Sequence, residues 1–213
     1  MALPAENQTL MFNEAAEAAD VVARQFARNA ATVEALDHAA TYAKYLFETR
    51  LGIVTASASP SVGSVYEAPL TLRGALYLVI SQSGKSPDLL RNAQAAKAAG
   101  ARVVALVNVE DSPLAELADT VLPLCAGPEK SVAATKSYLA SLAAILHLGA
   151  VWHGDAALVA TLADLPASLR RAWQANWRAV TDGLVEAHNL FVLGRGLGLA
   201  AAQEAALKFK ETC

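Results

Sequence analysis

Ala75-Leu76-Tyr77-Leu78-Val79-Ile80-Ser81-Gln82-Ser83-Gly84-Lys85-Ser86-Pro87 decides the fold. Residues 75–80 are apolar without alternation, the pattern of a strand buried on both faces. Five small or polar residues follow. A helical stretch then runs from Ser86 to Ala99 and ends at Gly100, a residue suited to the position after a helix. Working outward, Arg102 to Val107 is a second buried-strand run and Ser112 to Ala118 a short helix. Thr120 to Leu124 is a third strand, and Ser131 to Trp152 a long helix. Strands alternating with helices predict an α/β fold, a parallel sheet flanked by helices.

Upstream, Phe12, Ala15, Ala19, Val22 and Phe26 recur at spacings of three and four, so residues 11–48 read as helical. A second helical piece covers Ala39 to Thr49. Ile53 to Ala56 reads as a short strand and residues 57–64 as a turn region. Downstream, Ala156 to Ala187 is helical and Leu190 to Leu193 a strand. Gly194-Arg195-Gly196 forms a turn, and Leu199 to Thr212 a helix. Residues 1–155 therefore form one domain, and 156–213 linker helices with the start of a second α/β unit.

Composition narrows the function classes. Hydrophobic residues make up 54% and charged residues 17%, which predicts a filled core and excludes a disordered chain. A net charge of −3 without a Lys/Arg block argues against nucleic acid. Cys125 and Cys213 build neither a disulfide framework nor a metal cluster, and Cys125 reads as a buried small hydrophobe. The longest apolar stretch, Tyr138 to Trp152, contains Ser141 and His147 and falls short of the ~20 residues a membrane helix needs. No signal-peptide pattern opens the chain. A soluble cytoplasmic protein is expected, off the membrane and without metal or cofactor. His38, His147, His153 and His188 are scattered and read as structural or exposed.

The loop after Ile80 is a candidate anion cradle. Ligands of open α/β sheets bind at the carboxyl ends of strands. The N-terminus of the next helix offers free N–H groups and partial positive charge. Ser81, Ser83 and Ser86 add hydroxyls, and Gly84 permits close backbone approach. Ser86 fits the N-cap and Pro87 the first helical position. A polar turn with a Ser-Pro helix start accounts for the same residues, and Lys85 reads as a solvated lysine.

Glu204, Lys208 and Glu211 are spaced by four and three, so one helix face carries two carboxylates and an ammonium. A proton transfer between adjacent carbons needs a base and positive charge beside the developing enediolate. The commoner origin of such a stripe is a set of helix salt bridges on a solvated face. Arg195 between two glycines suits an anion or a helix carboxylate equally.

Four segments in order carry a resemblance: Ser81-Gln-Ser-Gly-Lys-Ser-Pro-Asp-Leu-Leu, Asn108-Val-Glu-Asp-Ser-Pro-Leu, Gly127-Pro-Glu-Lys-Ser-Val-Ala-Ala-Thr-Lys, and Gly194-Arg-Gly with Gln203-Glu-Ala-Ala-Leu-Lys-Phe-Lys-Glu. Across residues 10–213 the chain resembles the SIS (sugar isomerase) family, especially the isomerase half of glucosamine-6-phosphate synthase and its stand-alone relatives. The resemblance implies five-stranded parallel units in tandem, here with the second incomplete. It implies that Ser81, Gln82, Ser83 and Ser86 bind a sugar phosphate and that Val132 and Ala133 line the sugar pocket. Thr135 and Lys136 fall in that same segment, with a helix-start role equally open. Glu211 resembles the proton-shuttling glutamate, with Glu204 and Lys208 its supporting residues. The implied activity is that of a phosphosugar isomerase or deaminase acting without a glutaminase domain, as a homodimer. The alternative is a non-catalytic sugar-phosphate sensor.

Two departures stand out. The family's opening strand and its Gly-rich loop are absent where Leu36 meets Asp37, so residues are expected to be missing there. The chain also ends at Cys213, before the family's ring-opening histidine and lysine-bearing tail. A complete isomerase site is therefore not expected from these residues alone. Ala134 stands where the synthase carries a serine, which points to a different substrate.

Overall fold

The run at residues 75–81 forms a strand, β1 (Leu76–Ser81), in the computed structural model, which describes residues 10–33, 41–130 and 134–212. It pairs in parallel with β2 (Arg102–Val107), from Leu76 opposite Arg102 to Ser81 opposite Val107. β2 pairs in parallel with β3 (Thr120–Pro123), giving a three-stranded sheet of order β1-β2-β3 among the described residues. Val103 to Val107 are fully buried, as the unbroken apolar run requires of a middle strand.

The strand pleat sends alternate residues to two separate layers. Val104, Leu106, Leu122 and Leu124 pack against α2 (Ala18–Val33), α3 (Thr41–Arg50) and α7 (Lys136–His153). Val79, Val103, Ala105 and Val107 pack against α5 (Pro87–Ala98) and α6 (Pro113–Leu117). Small side chains let the helices approach closely: Ala93 and Ala96 on α5, Ala140 and Ala144 on α7, are all buried. α1 (Leu10–Ala16) precedes α2, and α4 (Pro60–Ser64) lies against α5.

The second half is helical. α7 ends at Gly154 in the left-handed conformation, at φ 68°. α8 (Ala156–Leu162) is capped by Asp155, which accepts the Leu158 N–H at 2.9 Å. α9 (Leu165–Trp173) returns to α2 through an Arg170–Asp20 ion pair and to α1 through a Phe12–Trp173 ring contact at 4.6 Å. α10 (Arg178–Leu184) and α11 (Leu197–Thr212) complete the chain.

Several expectations need correction. Ile53–Ala56 and Leu190–Leu193 are not strands. Val54, Phe191 and Leu193 are 90%, 88% and 91% exposed, and among the described residues neither segment pairs with a sheet; Thr55 is buried, but its backbone groups bond the Glu48 and Lys44 side chains instead. Residues 57–64 contain a one-turn helix rather than turns alone. The helical stretch of 156–187 consists of α8, α9 and α10. α7 begins at Lys136, not Ser131. Cys125 is half-buried, with a positive φ of 55°. The junction of Leu36 and Asp37, expected to be interrupted, lies outside the described residues.

Candidate functional site

The loop after β1 is held in shape by its own side chains. Gly84 N–H donates to Ser81 Oγ at 3.0 Å, and Lys85 N–H to Ser83 Oγ at 3.3 Å. Gly84 has φ 64°, and an added Cβ would lie 2.1 Å from Ser112 Oγ, so only glycine fits. Its carbonyl accepts the Leu114 N–H at 3.1 Å, tying the loop to the first turn of α6. Ser112 caps that helix through Ala115 N–H. Ser81 is buried, Gln82 and Ser83 are half-buried, and Lys85 and Ser86 are exposed. Ser86 holds the N-cap position with extended backbone, yet its hydroxyl makes no capping bond. That hydroxyl and the start of α5 are therefore available to an anion.

The N-terminus of α7 is already occupied. Glu129 Oε1 accepts N–H groups of Thr135 and Lys136 at 2.8 and 2.9 Å, and of Ser137 at 3.4 Å. Ser137 Oγ also donates to Glu129 Oε2. An internal carboxylate thus fills the position that an external anion takes at an open helix start. The two helix starts near the strand ends divide their roles: α5 is open, and α7 is self-capped.

A cavity of about 340 Å³ joins these parts. Ile80, Ser81 and Gln82 come from the β1 end, and Leu124 from beyond β3. Thr41 and Tyr42 come from α3, and Ser137, Tyr138, Ser141, Leu142 and Ile145 from α7. Ala200, Gln203 and Glu204 come from α11. Tyr138 Oη donates to the Ala200 carbonyl at 3.3 Å, fastening α11 to α7. Burial pushes the Tyr138 phenol up, and the Glu204 carboxylate pushes it further, with Lys208 opposing. Tyr42 is pushed up by burial and then by Tyr138. Both phenols therefore stay protonated, as donors, at neutral pH.

Glu204 pairs with Lys208 Nζ at 2.7 Å, with both side chains about three-quarters shielded. This is an i,i+4 pair, but Glu204 faces the cavity and not open solvent. Glu211 is placed on α11, one turn beyond Lys208, and its side chain lies outside the described residues. Val132 and Ala133 also lie outside them. Ser83, Ser86 and Lys208 border the site without lining the cavity. Arg195 is exposed.

Sequence reasoning passed over Thr41, Tyr42, Ser137, Tyr138, Ser141 and Gln203. Gln203 stood beside Glu204 in a motif already singled out. The α7 residues were hidden inside a stretch that reads as an apolar helix. Thr135 does open α7, and its Oγ1 is buried without a hydrogen-bond partner. Among the described residues no group of three or more His, Cys, Asp or Glu could hold a metal ion, and no helix is long and apolar enough to cross a membrane.

Residues 35–150 match the SIS domain model. The chain is 36% identical over 186 residues to glutamine–fructose-6-phosphate aminotransferase (isomerizing) of Symbiobacterium thermophilum, covering 82% of this chain and 30% of that protein. It thus spans less than a third of the length of such curated relatives. The crystal structure of a candidate phosphosugar isomerase from Silicibacter pomeroyi DSS-3 superposes with TM-score 0.87 at 41% identity, covering 96% of this chain and 69% of that one. Glucosamine-6-phosphate deaminase from Thermotoga maritima shares the fold, with TM-score 0.79 at 20% identity over 94% of this chain and 66% of that one.

Proposed function

This chain belongs to the SIS domain family, and from that premise we propose that it binds a hexose or hexosamine phosphate and moves a proton between adjacent carbons of the sugar. The single observation that carries this reading is the cavity wall. Ser81 and Gln82 of the cradle and Glu204 of α11, more than a hundred residues apart in sequence, line the same space. The phosphate would sit on Ser81, Gln82, Ser83, Ser86 and the start of α5.

In this reading a carboxylate on α11 takes the proton from C2 of the open-chain aldose and returns it to C1. Glu211 is the base, as the family resemblance assigns it. Glu204 and Lys208 hold the charge balance beside the enediolate, since an ammonium in a shielded site stabilises developing negative charge. Tyr42 offers a neutral donor to sugar hydroxyls, and Tyr138, whose proton goes to the Ala200 carbonyl, an acceptor. The names of the relatives support an aminated or phosphorylated hexose as the substrate class.

The proposal extends to assembly. Residues 190–212 repeat the apolar run, glycine turn and helix layout of residues 76–98 and would begin a second unit, with residues 1–155 forming the first. The exposed Trp177, Phe191, Leu193 and Phe209 suit burial in a homodimer.

The test is turnover of a panel of hexose and hexosamine 6-phosphates, with Glu211→Gln as control and calorimetric binding alongside. Interconversion lost in the variant with binding kept is the expected result. Binding without turnover in the native chain gives the sensor reading instead. No binding of any sugar phosphate sinks both.

A further inference from the structure

Lys136 is 2% exposed at the first position of α7, and its Nζ donates to Glu17 Oε2 at 2.6 Å. Glu17 sits at the bend between α1 and α2, where its carbonyl accepts the N–H groups of Asp20 and Val21. Glu14, buried one turn earlier, accepts the Lys130 N–H at 2.7 Å. Further along the same helical arm, Arg24 donates to the Cys125 carbonyl at 3.4 Å and Gln25 to the Leu124 carbonyl at 3.3 Å. Residues 14, 17, 24 and 25 thus pin the chain from Leu124 to Lys136 at four points, all from outside the cavity. None belongs to residues 35–150, the part that matches the family model.

What this arm pins is the cavity wall. Leu124, Ser137 and Tyr138 line the cavity, and each lies within two residues of a pinned one. The Lys136 side chain bonds the arm while Ser137 bonds Glu129, so adjacent residues tie the first turn of α7 to two different segments. The cradle at Ser81–Ser86 has no contact with the arm among these bonds; it is braced by Ser112 and Leu114 instead. The two halves of the site are therefore positioned by independent devices.

We propose that Glu17 and Lys136 are positioning residues for sugar recognition: their ion pair, with Glu14, sets the α7 wall against which the sugar is read, while leaving phosphate binding to the cradle. This rests on the sugar-phosphate reading above. It makes the two parts of the ligand separable by mutation.

The experiment compares glucosamine 6-phosphate with inorganic phosphate in the native chain, Lys136→Met and Lys136→Arg. Amide hydrogen exchange of Thr135, Lys136 and Ser137 is measured on the same ligand-free proteins. Met replaces the ammonium with an apolar chain of similar length and leaves the half-exposed Glu17 solvated, so this variant is chosen to fold. Glu17→Gln strands a buried ammonium, which is the more damaging break. It serves as a second variant at matched temperature below its own unfolding. Lys136→Met is expected to weaken glucosamine 6-phosphate about tenfold, the ratio of a single lost interaction, with phosphate affinity unchanged. Exchange at Thr135–Ser137 should quicken, and Lys136→Arg should restore both readouts. Equal weakening of both ligands, or no weakening of either, overturns the proposal. If the native chain binds neither ligand, the sugar-phosphate reading falls by itself. In that case the role in sugar recognition falls with it, and the exchange readout tests only the brace: unchanged exchange in Lys136→Met overturns it, and quickened exchange leaves a purely structural brace of α7.

Discussion

Glu204 and Lys208 form an ion pair of 2.7 Å on α11, and its carboxylate end is part of the cavity that begins at Ser81. A helix salt bridge and a candidate chemical group are thus the same residue. The pairing holds Glu204 in place, while leaving a carboxylate lone pair on the cavity side. Replacing Glu204 with Gln keeps the shape and removes the charge. We expect turnover of the sugar phosphate to fall by about 10²-fold or more, the scale of a lost acid–base or charge-balancing group. Binding of inorganic phosphate should stay unchanged. Steady-state kinetics with calorimetry checks both; a variant with native kcat removes Glu204 from the chemistry.

Gly84 carries the shape of the cradle. Alanine there meets Ser112 Oγ at 2.1 Å and Ser112 Cβ at 2.6 Å, on a backbone of positive φ. Overpacking and left-handed strain add, so Gly84→Ala should lose about 2–4 kcal/mol of stability. Urea unfolding measures it. The double change Gly84→Ala with Ser112→Gly removes the collision with Ser112 but not the strain or the 3.0 Å approach to Val107, and, compared with Ser112→Gly alone to account for the lost α6 cap, should recover part of the loss. No recovery would show that the clash is relieved elsewhere.

Glu129 substitutes for a bound anion at the start of α7. Glu129→Ala leaves the N–H groups of Thr135, Lys136 and Ser137 without their acceptor. A lost cap costs about 1 kcal/mol, which thermal unfolding resolves. The emptied helix start should also gain a weak affinity for phosphate. A second phosphate equivalent, detected by phosphorus NMR in the variant and not in the native chain, is the expected sign.

His147 sits on the buried face of α7 against the Phe26 ring, at 4.9 Å between centroids. Burial pushes its imidazole below the ordinary 6.5. The folded state therefore binds fewer protons than the unfolded state once pH drops below that value. Stability contributed by neutral His147 is complete above about pH 7 and falls as pH drops through 6.5 towards the depressed folded value. Below that value the loss levels off. Melting curves from pH 8 to 5 should show the decline, and His147→Gln should flatten it. A decline of equal slope in the variant assigns the effect to other groups.

The sheet was legible because its signals are local. Residues 75–80, 102–107 and 120–124 are apolar runs bounded by glycine and serine turns, and each became a strand within one residue of its expected end. Gly84, Ser86 and Pro87 likewise announce a tight loop feeding a helix, because positive φ, capping and a missing N–H are properties of single residues. The two strands that failed to form, at 53–56 and 190–193, show where local reading stops. Both have β-forming composition, but a strand needs a neighbour for its backbone groups, and neither has one.

By itself, then, the sequence determined the α/β order, the tight Ser-Gly loop that feeds α5 and the spacing of Glu204, Lys208 and Glu211 along one helix face. Only the tertiary structure decided that Tyr42, Ser81, Tyr138 and Glu204 enclose one cavity, since these residues are separated by dozens of positions and meet through helix packing. It also decided that Lys136, for which the sequence left a helix-start role and a place beside the sugar pocket equally open, is buried against Glu17. Spacing along a chain encodes which residues share a face; what that face meets depends on every other element packed against it.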